Sequence, residues 1–147
     1  MRRLGIQNYF RNRTSICELI FSHEDKPLGT GGAIRLAFEK VVTDTAIILN
    51  GDTYLDLDIK CLNNFSGRCG SSLVMVGVQV GDIARYGALK VENGVPVGFY
   101  EKELNGAGLI NAGAYILPKT EIFSYHTNVK FSFEKQFVAP KINAKAF

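Results

Sequence analysis

Three groups of residues in this chain of 147 have the types and spacing to do chemistry. The first is Leu28-Gly29-Thr30-Gly31-Gly32, a glycine-rich loop opening a helix. Glycines let a backbone approach a ligand closely, and free N–H groups at a helix N-terminus favour a phosphate or a polar ring atom. The loop fits neither common phosphate fingerprint. No Gly-Lys-Ser/Thr follows it, and Ile34 stands where a dinucleotide loop needs its third glycine. A tight turn into a helix is the alternative reading. The second group is Asn50-Gly51-Asp52, placed after a short apolar run. A carboxylate just past the carboxyl end of an α/β strand sits where such sheets bind ligands, and it suits a hard cation such as Mg²⁺. An ordinary Asx turn is the alternative there, with Asp56 and Asp58 as a solvated loop residue and a helix cap. The third group is Glu101-Lys102, with Tyr86-Gly87 before it and Asn111-Ala112-Gly113 after it. A carboxylate accepts two sugar hydroxyls, a lysine holds a phosphate, and a glycine beside them admits a sugar ring. Exposed rim charges are the alternative, and Asp82 and Arg85 read as surface or loop residues.

The elements that must position these groups can be read in order. Ser15 to Phe21 reads as a short strand around the single charge of Glu18. The glycine-rich loop follows, and Ala33 to Val41 places Ile34, Ala37, Phe38 and Val41 at helical spacing. Thr45 to Asn50 is nearly all apolar, as a strand covered on both faces of a parallel sheet would be. Asp58 caps a helix reaching Phe65, and Ser72 to Val80 is a further apolar strand. Residues 86–101 alternate around Asn93-Gly94, a strong hairpin signal. Gly108 to Leu117 is another strand, ended by Pro118, and short helical stretches fill 119–126 and 132–138. The expected fold is a three-layer α/β sheet with an antiparallel hairpin added on one side.

Composition narrows the function classes. The chain is 46% hydrophobic and 21% charged, enough apolar material for one globular domain. No apolar run is long enough to span a membrane, and no apolar h-region follows Arg2-Arg3, so the expectation is a cytoplasmic protein. The net charge of +3 is concentrated at the ends. Residues 1–13 carry +4 and residues 130–147 carry +3, leaving −4 over 14–129, a poor surface for nucleic acid. Cys17, Cys61 and Cys69 form no CxxC pair and read as small, mostly buried hydrophobes rather than as disulfides or zinc ligands. A dinucleotide-binding or interaction module of Rossmann type is a further reading, disfavoured by the failed glycine fingerprint.

Taken in chain order, PLGTGGAIRLA at 27–37, NGD at 50–52, RYGALKVE at 85–92, YEK at 100–102 and GLINAGAYIL at 108–117 resemble the sugar-phosphate nucleotidyltransferase family. Within it they are most similar to the branch holding heptose 1-phosphate and mannose-1-phosphate guanylyltransferases. The resemblance implies a Rossmann-like, GT-A-like sheet. It implies nucleotide contacts from Leu28, Gly29, Thr30 and Gly31, Mg²⁺ on Asp52, and a sugar pocket from Gly87, Glu101 and Asn111, with Lys102 near the sugar phosphate. Asp52 and Lys102 are then the catalytic pair. The implied substrates are a nucleoside triphosphate and a sugar 1-phosphate, and the products a nucleotide-sugar for cell-surface polysaccharides such as lipopolysaccharide, and pyrophosphate. Two parts of the family pattern have no counterpart: the G-x-G-T-R…P-K triphosphate signature, and an aspartate in a segment like F-I-D-I-G that shares the metal. Residues 4–10, LGIQNYF, instead resemble a later helix. The expectation is one partial domain over 1–147, incomplete at both ends. Such a chain depends on a homo-oligomer or a complementing chain, or is a remnant that only binds sugar phosphate or nucleotide.

Overall fold

The computed structural model describes residues 3–11, 13, 17–70, 73–84, 86, 88–100 and 105–143. Among these residues, five strands and a set of mostly short helices follow one another as α1 (Arg3–Arg11), α2 (Gly29–Ala37), β1 (Thr45–Leu49), α3 (Ile59–Cys69), β2 (Val74–Val80), β3 (Ala88–Glu92), β4 (Val95–Tyr100), β5 (Gly108–Pro118), α4 (Lys119–Ile122), a π-helix (Phe133–Val138) and α5 (Ala139–Asn143).

β5 is the centre of the main sheet, whose order is β1-β5-β2. Its residues Ala112 to Pro118 are all buried, which its apolar composition requires. Side chains alternate across a strand, so β1 and β2 feed two cores. Ala46, Ile48 and Met75 pack on a cluster built from Phe38, Tyr115, Leu117, Ile122, Phe133 and Phe137, under α2, α4 and the π-helix. Ile47 and Val76 pack on the opposite side with Leu62 of α3, Val74 and Ile116. Helices therefore cover both faces, and the three-layer expectation holds. The hairpin β3–β4 turns at Asn93-Gly94, where both residues have positive φ, and it lies against β5 and α5.

Several expectations are corrected. Both β1 and β2 run antiparallel to β5, so the apolar run 45–49 reported two-sided burial and not a parallel partner. Residues 17–21 form no strand. A strand exists only through pairing, these residues have no strand partner among the described ones, and Leu19 and Ile20 are 41% and 58% exposed. The start of that stretch, at Ser15 and Ile16, lies outside the described residues. Helix α2 begins four residues early, inside the glycines, and ends at Ala37, where i→i+3 bonds such as Glu39 N–H to Leu36 O tighten the turn. Cys17, Cys61 and Cys69 are exposed. On α3 Leu62 is buried, which turns position 61 away from the core, and position 69, on the same side as Leu62, is exposed at the last residue of the helix.

The π-helix runs directly into α5, whose second residue is Pro140. Proline cannot donate to the carbonyl four residues earlier, Gln136 O, and the Tyr125 hydroxyl donates to that carbonyl instead, at 2.8 Å. Ser132 caps the first turn by accepting from Lys135 N–H. No helix among the described residues is long and apolar enough to cross a membrane.

Candidate active site

The glycine-rich start of α2 is held by the segment 129–133. Gly31 N–H donates to Phe131 O and Phe131 N–H donates to Leu28 O, each at 3.0 Å, and Phe133 N–H donates to the Thr30 hydroxyl at 2.9 Å. The close approach explains the glycines. A Cβ on Gly29, which has φ +71°, would lie 2.6 Å from Phe131 O, and one on Gly31 would lie 2.1 Å from the Phe131 ring. Leu28 is 1% exposed, and its N–H donates to the Glu24 carboxylate at 2.7 Å. Its side chain and both its backbone groups are thus engaged within the protein. Gly29 and Thr30 are exposed and lie open at the helix start.

Asp52 stands in the turn that follows β1, exposed, with the Thr53 hydroxyl 3.5 Å from its carboxylate. A Cβ on the neighbouring Gly51 would meet nothing within 4 Å, so the turn is open beside Asp52. Among the described residues no group of three His, Cys, Asp or Glu side chains converges as a metal site. Asp52 alone fits a cation held partly by substrate oxygens, the usual manner of Mg²⁺.

Asn111 lies on β5 two residues before Gly113. Its carbonyl oxygen accepts the Gly113 N–H at 3.0 Å, and its amide donates to the Tyr115 hydroxyl at 2.5 Å. Gly113 in turn accepts the Asn50 N–H at 3.0 Å. One glycine therefore ties Asn111 to the turn that carries Asp52. Gly113 adopts φ +71°, and a Cβ there would lie 2.2 Å from the Asn50 amide nitrogen. Beside this junction a cavity of about 140 Å³ is lined by Asn50, Thr53, Ala112 and Gly113 over an apolar floor. It is below the ~300 Å³ of small-molecule sites, so substrates would occupy the open surface above it. Gly87, Glu101 and Lys102 lie outside the described residues.

Tyr115 and Glu134 were not singled out by sequence reasoning, whereas Gly113 stood in the third group. Burial pushes the Tyr115 hydroxyl up to about 12; its bond from Asn111 opposes this, and the Glu134 carboxylate against it adds to the rise. The available signal was the spacing of Asn111 and Tyr115 around a glycine.

The nucleotidyl transferase family model matches residues 2–146. The D-glycero-alpha-D-manno-heptose 1-phosphate guanylyltransferase of Aneurinibacillus thermoaerophilus is 32% identical over 97% of this chain and 62% of its own length. That of Campylobacter jejuni is 37% identical over 88% of this chain and 57% of its own. A crystal structure of HddC from Yersinia pseudotuberculosis complexed with GMP-PN superposes with a TM-score of 0.82 at 38% identity, covering 94% of this chain and 60% of that one. The chain thus spans about three fifths of the length of the proteins it matches.

Proposed function

The chain belongs to the nucleotidyl transferase family, and from that premise we propose that it acts in guanylyl transfer from GTP to a heptose- or mannose-type sugar 1-phosphate. The observation that carries this reading is the Gly113 junction, which holds Asn111 and the Asp52 turn together at one end of the sheet. The names of the matched heptose 1-phosphate guanylyltransferases, and the GMP-PN held by the HddC structure, support the choice of base and sugar.

In this reading a sugar-phosphate oxygen attacks the α-phosphorus of GTP, a new P–O bond forms, and the bond to the β-phosphate breaks to release pyrophosphate. No protein nucleophile is needed, because positioning and charge neutralisation supply most of the catalysis. Gly29 and Thr30 receive the nucleotide at the start of α2, with Leu28 and Gly31, both engaged with the protein, fixing the loop behind them. Asn111 is assigned to the sugar, as are Gly87 and Glu101, and Lys102 is assigned to the sugar phosphate. Residues 14–129 carry a net charge of −4, so a nucleoside triphosphate needs countercharge there. Mg²⁺, when bound, supplies it by drawing negative charge from the phosphoryl oxygens. Asp52 is the residue that would hold it. Exposed thiols at Cys61 and Cys69 suit a reducing compartment, and we assign the reaction to the cytoplasm, feeding nucleotide-sugar and lipopolysaccharide-type synthesis.

A second reading is a chain that binds but turns over only with a complementing chain. It is favoured by β1, which is packed on both faces like an interior strand yet has β5 as its single partner among the described residues.

Calorimetry tests the site. GTP with Mg²⁺ and mannose 1-phosphate are each expected to bind, with D52N weakening the first and N111A weakening the second by about 10-fold, the worth of one hydrogen bond to a ligand. Absence of binding by either ligand at millimolar concentration contradicts the proposal.

A further inference from the structure

We propose that Tyr115 and Glu134 are positioning residues that lock the Asn111 amide in one orientation, leaving one N–H and one carbonyl lone pair to read a sugar hydroxyl. The inference rests on the sugar-site reading of Asn111 and deepens it.

The orientation is fixed by the donors around it. Gly113 offers an N–H, so the atom of Asn111 that faces it must be the carbonyl oxygen, at 3.0 Å. The amide nitrogen then faces the Tyr115 oxygen at 2.5 Å, and that oxygen accepts. The Tyr115 proton needs an acceptor of its own, because the residue is 1% exposed and a buried unpaired hydroxyl is costly. The Glu134 carboxylate, in the first turn of the π-helix, lies against it. Donation therefore runs from Asn111 to Tyr115, and the Glu134 carboxylate is the acceptor proposed for the Tyr115 proton. Burial holds the Tyr115 proton in place up to about pH 12, so the direction does not reverse in ordinary buffers.

The backbone makes this contact possible. Residues four apart on a regular strand are separated by about 13 Å, too far for an asparagine to reach a tyrosine hydroxyl. Between Tyr115 and Asn111, however, β5 is matched by only the two-residue step from Met75 to Gly77 on β2. That compresses the span to about 7 Å, and the left-handed Gly113 absorbs the surplus. The ring of Tyr115 is held edge-on by Phe133, 5.0 Å between centroids, next to Glu134 in sequence. An asparagine already bonded on one N–H and one lone pair retains one of each, a match for a hydroxyl, which both donates and accepts.

The test pairs a spectroscopic readout with binding. In Y115F the phenyl packing remains and the acceptor is lost. The Asn111 side-chain amide signals in nitrogen-edited NMR, assigned by their disappearance in N111D, are expected to shift and to lose protection from exchange. Mannose 1-phosphate is expected to bind about 10-fold more weakly while GTP affinity stays within about twofold. E134A is expected to show a smaller loss, and E134Q, which keeps an acceptor, to recover most of it. Unchanged Asn111 amide signals in Y115F overturn the positioning role, and so does an equal loss of GTP and sugar-phosphate affinity. A wild-type protein that binds GTP but no sugar 1-phosphate overturns the sugar-site reading and the ligand assigned to Asn111 with it, while the amide signals still decide the positioning.

Discussion

Gly113 combines two duties that exclude a side chain. Its φ of +71° is strained for any residue with a Cβ, and its carbonyl must sit beside Asn50, whose amide nitrogen would be 2.2 Å from that Cβ. G113A is therefore expected to lose about 2 kcal/mol in urea denaturation, from backbone strain plus displacement of Asn50, and to weaken binding at Asn111 and Asp52 together. Tyr115 gives a second prediction at this scale. Its folded-state pKa, about 12, lies above the ordinary 10, so the folded protein keeps a proton that the unfolded chain gives up. The associated stability is complete below pH 10 and is lost as pH rises through about 12, a fall approaching 3 kcal/mol at ~1.4 kcal/mol per pH unit. Urea midpoints measured across that alkaline range should fall in the wild type and fall less in Y115F. Asp52 and Asn111 could be proposed as site residues from the sequence, Asp52 from a carboxylate after an apolar run and Asn111 from the motif shared with the family. Tyr115 and Glu134 could not, because their meeting depends on the offset between β2 and β5 and on a π-helix nineteen positions further along the chain.

Elements with local signals matched their sequence reading closely. Asp58 accepts the Cys61 N–H at 2.9 Å as the cap of α3, and D58A is expected to cost about 1 kcal/mol in thermal or urea unfolding, with D58N near wild type. The Asn93-Gly94 hairpin is equally local. What depends on distant partners read less well. The glycines of α2 looked like a loop left open for a ligand, and most of their closeness is taken by residues 129–133, which are remote in sequence. Gly31 is the sharpest case. G31A would drive a methyl into the Phe131 ring and is expected to destabilise the protein by about 1–3 kcal/mol, the range for overpacking a well-filled contact, read as a lowered urea midpoint. Strand direction was also beyond the sequence. Burial on both faces of β1 is visible in its composition, but antiparallel pairing with β5 places no mark on residues 45–49.

On the scale of the molecule, helices on both faces of the β1-β5-β2 sheet leave the strand-end turn at Asp52 and the bulge at Gly113 on one margin, with the start of α2 presented by the layer above the sheet. That arrangement matches a family whose fold the sequence motifs suggested in order, and whose relatives are longer than this chain. The central claim is guanylyl transfer to a sugar 1-phosphate, and pyrophosphate release measures it most directly. Purified protein given GTP, Mg²⁺ and heptose or mannose 1-phosphate is expected to release pyrophosphate only when both substrates are present, with D52N slower by about 100-fold or more, the scale of losing a group that steadies transition-state charge. Release no greater than in a protein-free control would contradict catalysis by this chain and leave the binding-only reading.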